Sequence, residues 1–338
     1  MTKKTARFLA VVGAVAASGL GLSLMAADTT PRLFFLDIRG GRVLTVKPDG
    51  SGLQVLVDNK KEAPDGIAVD AGKGHIYWSN MGQADEDDGS VFRTNLDGSH
   101  FTTLVPKGGT FTAKQMKLDE NHEKMYWSDR EGMRIQRANL DGSHVETLVV
   151  AGTGEADRAD PANWCVGIAI DPDGGKVYWT QKGGDNAFRG TIRRANLEIP
   201  KGQTAGTRTD SEILFDALPE PIDLDLDLKN QMIYWTDRGD APRGNTVNRA
   251  PMTMPAGVDP KHRRDIQILF GGLDEAIGLA LDVPGDRLYV TDLGGNLVSA
   301  TLDGRGRRTL GTKLGVLTGI AFANVPVTSL RPGTTQQQ

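Results

Sequence analysis

A single cysteine, Cys165, stands in a chain of 338 residues. It excludes an internal disulfide and any zinc or iron–sulfur site built from several cysteines. An excess of one charge sign is also lacking: 39 Lys and Arg stand against 43 Asp and Glu, a net charge of −4. A chain so balanced carries no electrostatic footprint for nucleic acid. Helical patterns are scarce, and no phosphate-cradling glycine loop precedes one, so nucleotide-dependent chemistry has no support. What the chain has in quantity is glycine, 42 residues. Glycine inside a helix costs about 1 kcal/mol per site, so this composition suits many tight turns. Length alone suggests two ordinary domains, although closed all-β folds exceed that size as one unit.

Residues 1–27 read as an address. Lys3, Lys4 and Arg7 precede an Ala-, Val- and Gly-rich apolar run from Phe8 to about Ala27, the order of a secretory signal peptide. No twin arginine is present, and no cysteine follows to carry a lipid. The alternative is an uncleaved anchor, because the run approaches the length of a membrane span. With cleavage, the mature chain begins near Asp28 and is exported, periplasmic or secreted. Residues 28–326 then form the folded unit, and 327–338 a flexible C-terminal tail.

One short strand returns six times: Leu33–Asp37, Ile76–Asn80, Met125–Asp129, Val177–Gln181, Ile233–Asp237 and Leu288–Asp292. Measured from the last residue of each, the spacings are 43, 49, 52, 56 and 55 residues. Such a period fits one four-stranded blade of a β-propeller. Copies two to six are each preceded by an alternating strand, such as Gly66-Ile-Ala-Val-Asp70 or Asp223-Leu-Asp-Leu-Asp227. A third strand ending in an Asp-Gly turn follows several copies, as at Asp97-Gly98-Ser99 and Asp141-Gly142-Ser143. Copy one lacks a preceding strand, but Thr318-Gly-Ile-Ala-Phe322 supplies one at the other end. The pattern predicts an all-β, six-bladed β-propeller closed by the C-terminal strand pairing into the first blade.

The Ile-Tyr-Trp-Thr-Asp strands, with Gly-Ile-Ala-Val-Asp before and Arg-Ala-Asn-Leu-Asp-Gly-Ser after, resemble the YWTD (class B) repeats of low-density-lipoprotein-receptor-type propellers. The likeness covers about residues 31–325 and suggests a bacterial-type, secreted, single-domain member. It implies a six-bladed ring acting as a recognition surface or spacer. Copies one and six lack the Trp, Asn80 and Gln181 replace the Asp, and the cysteine-rich modules of animal receptors are absent. A receptor role is therefore not inherited.

Adjacent Tyr and Trp on a strand point to opposite faces, so each blade can offer an aromatic to both neighbours. The terminal Asp or Asn can hold backbone donors at the strand end. Binding is expected on the face carrying the long loops, Asn80–Gly89, Gln181–Gly190 and Asp237–Asn245, with the crossings Val105–Thr112 and Val150–Trp164. The opposite face should carry short turns and two excursions, 198–211 and 252–264.

The repeat breaks its own rule in two places. Four inner strands hold Gly then Ala at equivalent positions (66/68, 167/169, 278/280, 319/321), whereas copy three has Gln115 and Lys117, and copy five Asp223 and Asp225. The same copies carry Arg130 and Arg238 just after the motif. Charges in the tightest strand must pair or reach water. Gln115, Lys117, Asp223, Asp225, Arg130 and Arg238 are therefore the candidate ligand-binding residues of a polar axial pocket; a structural ion-pair plug is the competing reading.

No catalytic residue and no metal ligand set stands out. The Asp85–Asp88 run could offer oxygen to calcium, the single candidate cofactor, but lacks the alternate spacing of a dedicated loop. The histidines sit in separate repeats, and Cys165 reads as a buried filler. Two functions remain: a monomeric exported propeller that binds a small ligand, glycan or protein, or a hydrolase resembling six-bladed lactonases. The second would draw on Asp65, Asp223, Asp225 or Asp237.

Overall fold

A computed structural model describes residues 28–83 and 85–330; the proposed signal peptide and residues 331–338 lie outside the described residues. Six four-stranded antiparallel sheets follow one another around a ring. The inner strands are Pro64–Asp70, Ala113–Asp119, Cys165–Asp171, Pro221–Asp227, Ala276–Asp282 and Leu317–Pro326. Leu317–Pro326 pairs with Thr29–Asp37 and becomes the inner strand of blade 1, with Phe34 opposite Ala321 and Phe35 opposite Ile320. The ring closes by strand pairing between the two ends of the folded segment, which removes the inner edge that blade 1 would otherwise expose.

The repeat explains the core. Tyr77 of blade 2 packs with Trp127 of blade 3, Tyr126 with Trp179, and Tyr178 with Trp235. Where the motif lacks its Tyr or Trp the contact is kept by what stands there: Tyr234 meets Val290, Tyr289 meets Phe35, and Phe34 meets Trp78. Six interfaces thus follow one rule, one residue of the motif facing each neighbour. The inner glycines are required by proximity. A Cβ on Gly66 would lie 2.4 Å from the Lys114 carbonyl oxygen, and one on Gly167 2.2 Å from that of Ile222.

The motif's fourth residue has a role that its small size hides in the sequence. Ser79, Thr180, Thr236 and Thr291 each accept from an N–H of their own inner strand, those of Gly66, Gly167, Asp223 and Gly278. The same hydroxyls donate to the next blade's inner strand, at the carbonyls of Lys114, Ile222, Ile277 and Thr318. Ser128 likewise donates to Val166. Blade 1 has Leu36 here, and Thr318 donates to Pro64 instead. A hydroxyl belt therefore joins successive blades.

Two boundaries differ from the expected ones. The outer strand of blade 2 runs Thr102–Thr110, so much of the predicted 105–112 crossing is strand. The 150–164 crossing contains a short helix, Gly154–Arg158, and a 3-10 turn, Pro161–Asn163. After the closing strand, Val327–Leu330 makes one 3-10 turn.

The two excursions replace Asp-Gly turns and take over their contact. In blades 1, 2, 3 and 6 the turn glycines Gly50, Gly98, Gly142 and Gly304 press on Leu310, Leu56, Leu104 and Leu269 of the preceding outer strand. In blades 4 and 5 an arginine reaches the equivalent carbonyl: Arg208 donates to Leu148 at 2.7 Å, and Arg263 to Leu214 at 3.3 Å. Each guanidinium is held by an aspartate two residues on, Asp210 or Asp265.

Candidate functional site

The six candidate residues are placed in three groups, not one. Within the channel, Lys117 of blade 3 crosses to Asp225 of blade 5, Nζ to Oδ1 at 3.3 Å. Both aspartates also turn to the free inner edge of blade 6. Asp223 Oδ2 accepts from the Leu279 N–H at 2.9 Å, and Asp225 Oδ2 from that of Leu281 at 3.3 Å. Their other oxygens accept from Leu224 and Leu226. Burial, aided by Asp225, pushes the Asp223 carboxyl up to about 7 against the pull of Lys117. Burial lowers Lys117, but Asp225 and Asp223 outweigh it and hold the ammonium above its usual value.

Gln115 belongs to a second group. Its amide donates to Asp65 Oδ1 at 3.0 Å, and Lys114 reaches Asp65 Oδ2 at 2.6 Å. Burial pulls the Lys114 pKa down, against the Asp65 charge. Beside this polar pair, Val166, Ile222 and Ile277 of blades 4 to 6 cluster together with Leu293.

Arg130 and Arg238 form the third group, at the long-loop face. In every blade the residue after the motif donates its N–H to a carbonyl three residues before the Gly site: Ile38 to Val316, Met81 to Ala63, Arg130 to Thr112, Lys182 to Trp164, Arg238 to Glu220 and Leu293 to Glu275. Blades 3 to 5 put cations there. Buried Glu220 takes Lys182 at 2.5 Å and Arg238 at 2.6 Å. Arg238 also lies 3.4 Å from Asp185 and from Glu275. Arg130 pairs with Glu131; burial raises that carboxyl, but Arg130 more than offsets it and holds it low. The guanidinium of Arg130 and the ammonium of Lys182 lie 5.1 and 5.8 Å from the ring of Trp164, a half-buried indole. Its N–H donates to Arg158 O at 2.8 Å, which ties the short helix to the mouth.

The sequence reading missed Trp164, Lys182, Glu220 and Glu131. A signal existed, since Lys182 occupies the repeat position of Arg130 and Arg238, but Gln181 in place of Asp obscured it. The motif's terminal residues serve the fold. Asp129 accepts from the N–H groups of Phe111, Thr112 and Gly132, and Asn80 from that of Ala63. Asp237 Oδ1 accepts from Glu220 and Gly239, while its buried Oδ2 has no partner among the described residues; burial pushes this carboxyl up to about 7.

Among the described residues no group of three or more His, Cys, Asp or Glu side chains is placed to hold a metal ion. In the acidic loop Asp88 is occupied by Lys107 and the Gln83 N–H. Cys165 is buried, and that burial raises its thiol pKa, which leaves it protonated and unreactive.

No protein-family model matches the chain. It is 42% identical over 312 residues to the low-density lipoprotein receptor-related protein 1 of Pyricularia oryzae, covering 88% of this chain and 100% of that protein. It is 37% identical over 313 residues to the 3-hydroxyacyl-CoA dehydrogenase-like protein LAM1 of Cochliobolus heterostrophus, of which it spans 66%. Among solved structures, a chain of the nidogen/laminin complex superposes with a TM-score of 0.67 at 21% identity, covering 87% of this chain and 98% of that one. That likeness concerns the fold. Its six-bladed ring and its 42% identity along the whole of the Pyricularia oryzae protein place this chain in the low-density-lipoprotein-receptor-related family of YWTD-type propellers.

Proposed function

We propose that the protein is an exported binding propeller whose ligand enters the channel mouth on the long-loop face. The observation that carries this reading is the collection of Arg130, Lys182 and Arg238 around Trp164 and buried Glu220. Pre-oriented charges beside an aromatic face suit a polar ligand, because the protein holds them in place before binding. Lys117, Asp223 and Asp225 form the floor in this reading, reached through the mouth. The low-density-lipoprotein-receptor-related name of one relative and the laminin complex of a structural neighbour support a recognition role. The leading segment 1–27 supports export. No helix among the described residues is long and apolar enough to cross a membrane.

Hydrolysis of a lactone is the second reading, and one observation favours it: Asp223 and Asp237 hold protons near neutrality. Asp223, however, has both oxygens committed to backbone donors.

A thermal-shift screen with sugars, amino acids, lactones, short peptides and divalent metals tests both readings. A ligand that stabilises the wild type but not Lys117→Ala or Arg238→Ala supports the mouth and channel. Unchanged ligand stabilisation in variants of lowered intrinsic stability reduces these charges to a structural plug. Lactone turnover lost in Asp223→Asn would replace binding by hydrolysis.

A further inference from the structure

We propose that the flank between blades 4 and 5 is a docking groove for an acidic, extended peptide segment of a partner protein. The groove owes its shape to the 252–264 excursion. Arg263 turns inward with its side chain fully buried, 3.9 Å from the centre of the Phe215 ring, and donates to Pro251 O at 2.8 Å. With Arg263 so fixed, His262 and Arg264 on either side of it are exposed. A 590 Å³ cavity opens on one side of these two residues and a 540 Å³ cavity on the other. The second is lined by Arg243, Lys261 and Arg264 over a floor of Ile266 and Ile268, and Ile268 is 49% exposed. A cleft shared with Arg243, Ile266 and Ile268 continues it to Leu218 and Pro219.

Charge decides what fits. Among the described residues Arg243, Lys261 and Arg264 make no ion pair, and Asp265, the nearest carboxylate in sequence, is taken by Arg263. Asp259 faces His262 at 3.8 Å and is the remaining acid of the excursion. The grooves on either side of blade 3 hold more of their cations on partners of their own: Lys73 pairs with Glu123, Lys124 donates to the Asn139 amide oxygen, and Arg137 pairs with Glu146 and Glu198. On the flank of blades 4 and 5 Lys261 and Arg264 have no carboxylate partner among the described residues, while Arg243 lies over the Phe188 ring at 5.3 Å.

Two further features select a peptide over another polyanion. The floor is aliphatic and continues into the outer strand of blade 5, Gln267–Phe270, whose outer edge pairs with no strand among the described residues. An extended segment alternating acidic and apolar residues presents carboxylates to one side and apolar groups to the other. Its backbone can hydrogen-bond to the free edge, the strand-addition mode of recognition. A sulfated glycan would use the cations but neither the isoleucines nor the edge.

The test is fluorescence anisotropy with a labelled peptide of alternating Glu and Val, competed by poly-glutamate and by heparin. The peptide is expected to bind the wild type. Lys261→Glu combined with Arg264→Glu should weaken it about tenfold or more. Lys60→Glu combined with Lys61→Glu, the same charge change at exposed sites elsewhere, should leave it within about twofold. Ile268→Ser should weaken it by about threefold without altering the salt dependence. The altered side chains are exposed, so each variant should keep the wild-type melting temperature, which separates lost binding from lost fold. Absence of peptide binding, equal loss in both charge variants, or tighter binding of heparin or poly-glutamate than of the peptide overturns the proposal.

Discussion

Asp223 stands where four of the six inner strands have glycine, and it answers to three neighbours at once. Two backbone N–H groups hold its oxygens, and Lys117 supplies a positive charge, yet burial dominates and lifts its pKa to about 7. The unfolded value is near 4, so the folded state binds this proton more tightly than the unfolded chain. The contribution to stability is therefore fully present below about pH 4 and is lost as pH rises through about 7. Asp237 acts in the same direction. Melting temperatures at pH 5 and pH 8 check this. The wild type should lose at least about 2 °C more over that interval than Asp223→Asn, whereas parallel profiles would deny the buried proton. That inner strands three and five break the glycine rule was legible from the repeat. Which partners their charges take was not, because Lys117 and Asp225 lie two blades apart and meet only once the ring closes.

Elements in this molecule are secured by small polar groups at repeated positions. Thr236 accepts from Asp223 N and donates to Ile277 O, both buried. Thr236→Val strands both backbone groups and should cost about 1–3 kcal/mol, read from urea unfolding. Arg263 has a comparable duty at the outer edge, where it replaces the glycine contact of an Asp-Gly turn. Arg263→Ala leaves Asp265 and the carbonyls of Leu214 and Pro251 unpartnered and should cost about 3 kcal/mol. Arg263→Lys should recover less than half, since an ammonium cannot span the forked contacts. The strands themselves were legible because one pattern recurs in register. The arginine clamps were not: Arg208 and Arg263 lie in insertions of unlike length, and Arg208 meets Leu148 across 60 residues.

At the scale of the ring, closure joins Thr29–Asp37 to Leu317–Pro326. Truncation before Leu317 removes the inner strand of blade 1, the Thr318 contact to Pro64, and the packing of Ile320 with Phe35. Such a chain should lose its cooperative thermal transition and elute as aggregate in gel filtration, while a soluble, sharply melting product would show that blade 1 needs no closure. The same ring sets the function argued above, because it brings Arg130, Lys182 and Arg238 from three blades to one mouth around Trp164 and Glu220. The most direct measurement of that claim is the polar-ligand thermal-shift screen run in parallel on wild type and on Trp164→Ala, a half-buried side chain that belongs to none of the clusters packing one blade on the next. At least one compound should raise the wild-type melting temperature by several degrees, about 3 °C or more, and leave the variant unmoved. Equal shifts in both proteins, or none in either, would contradict a ligand site at the mouth.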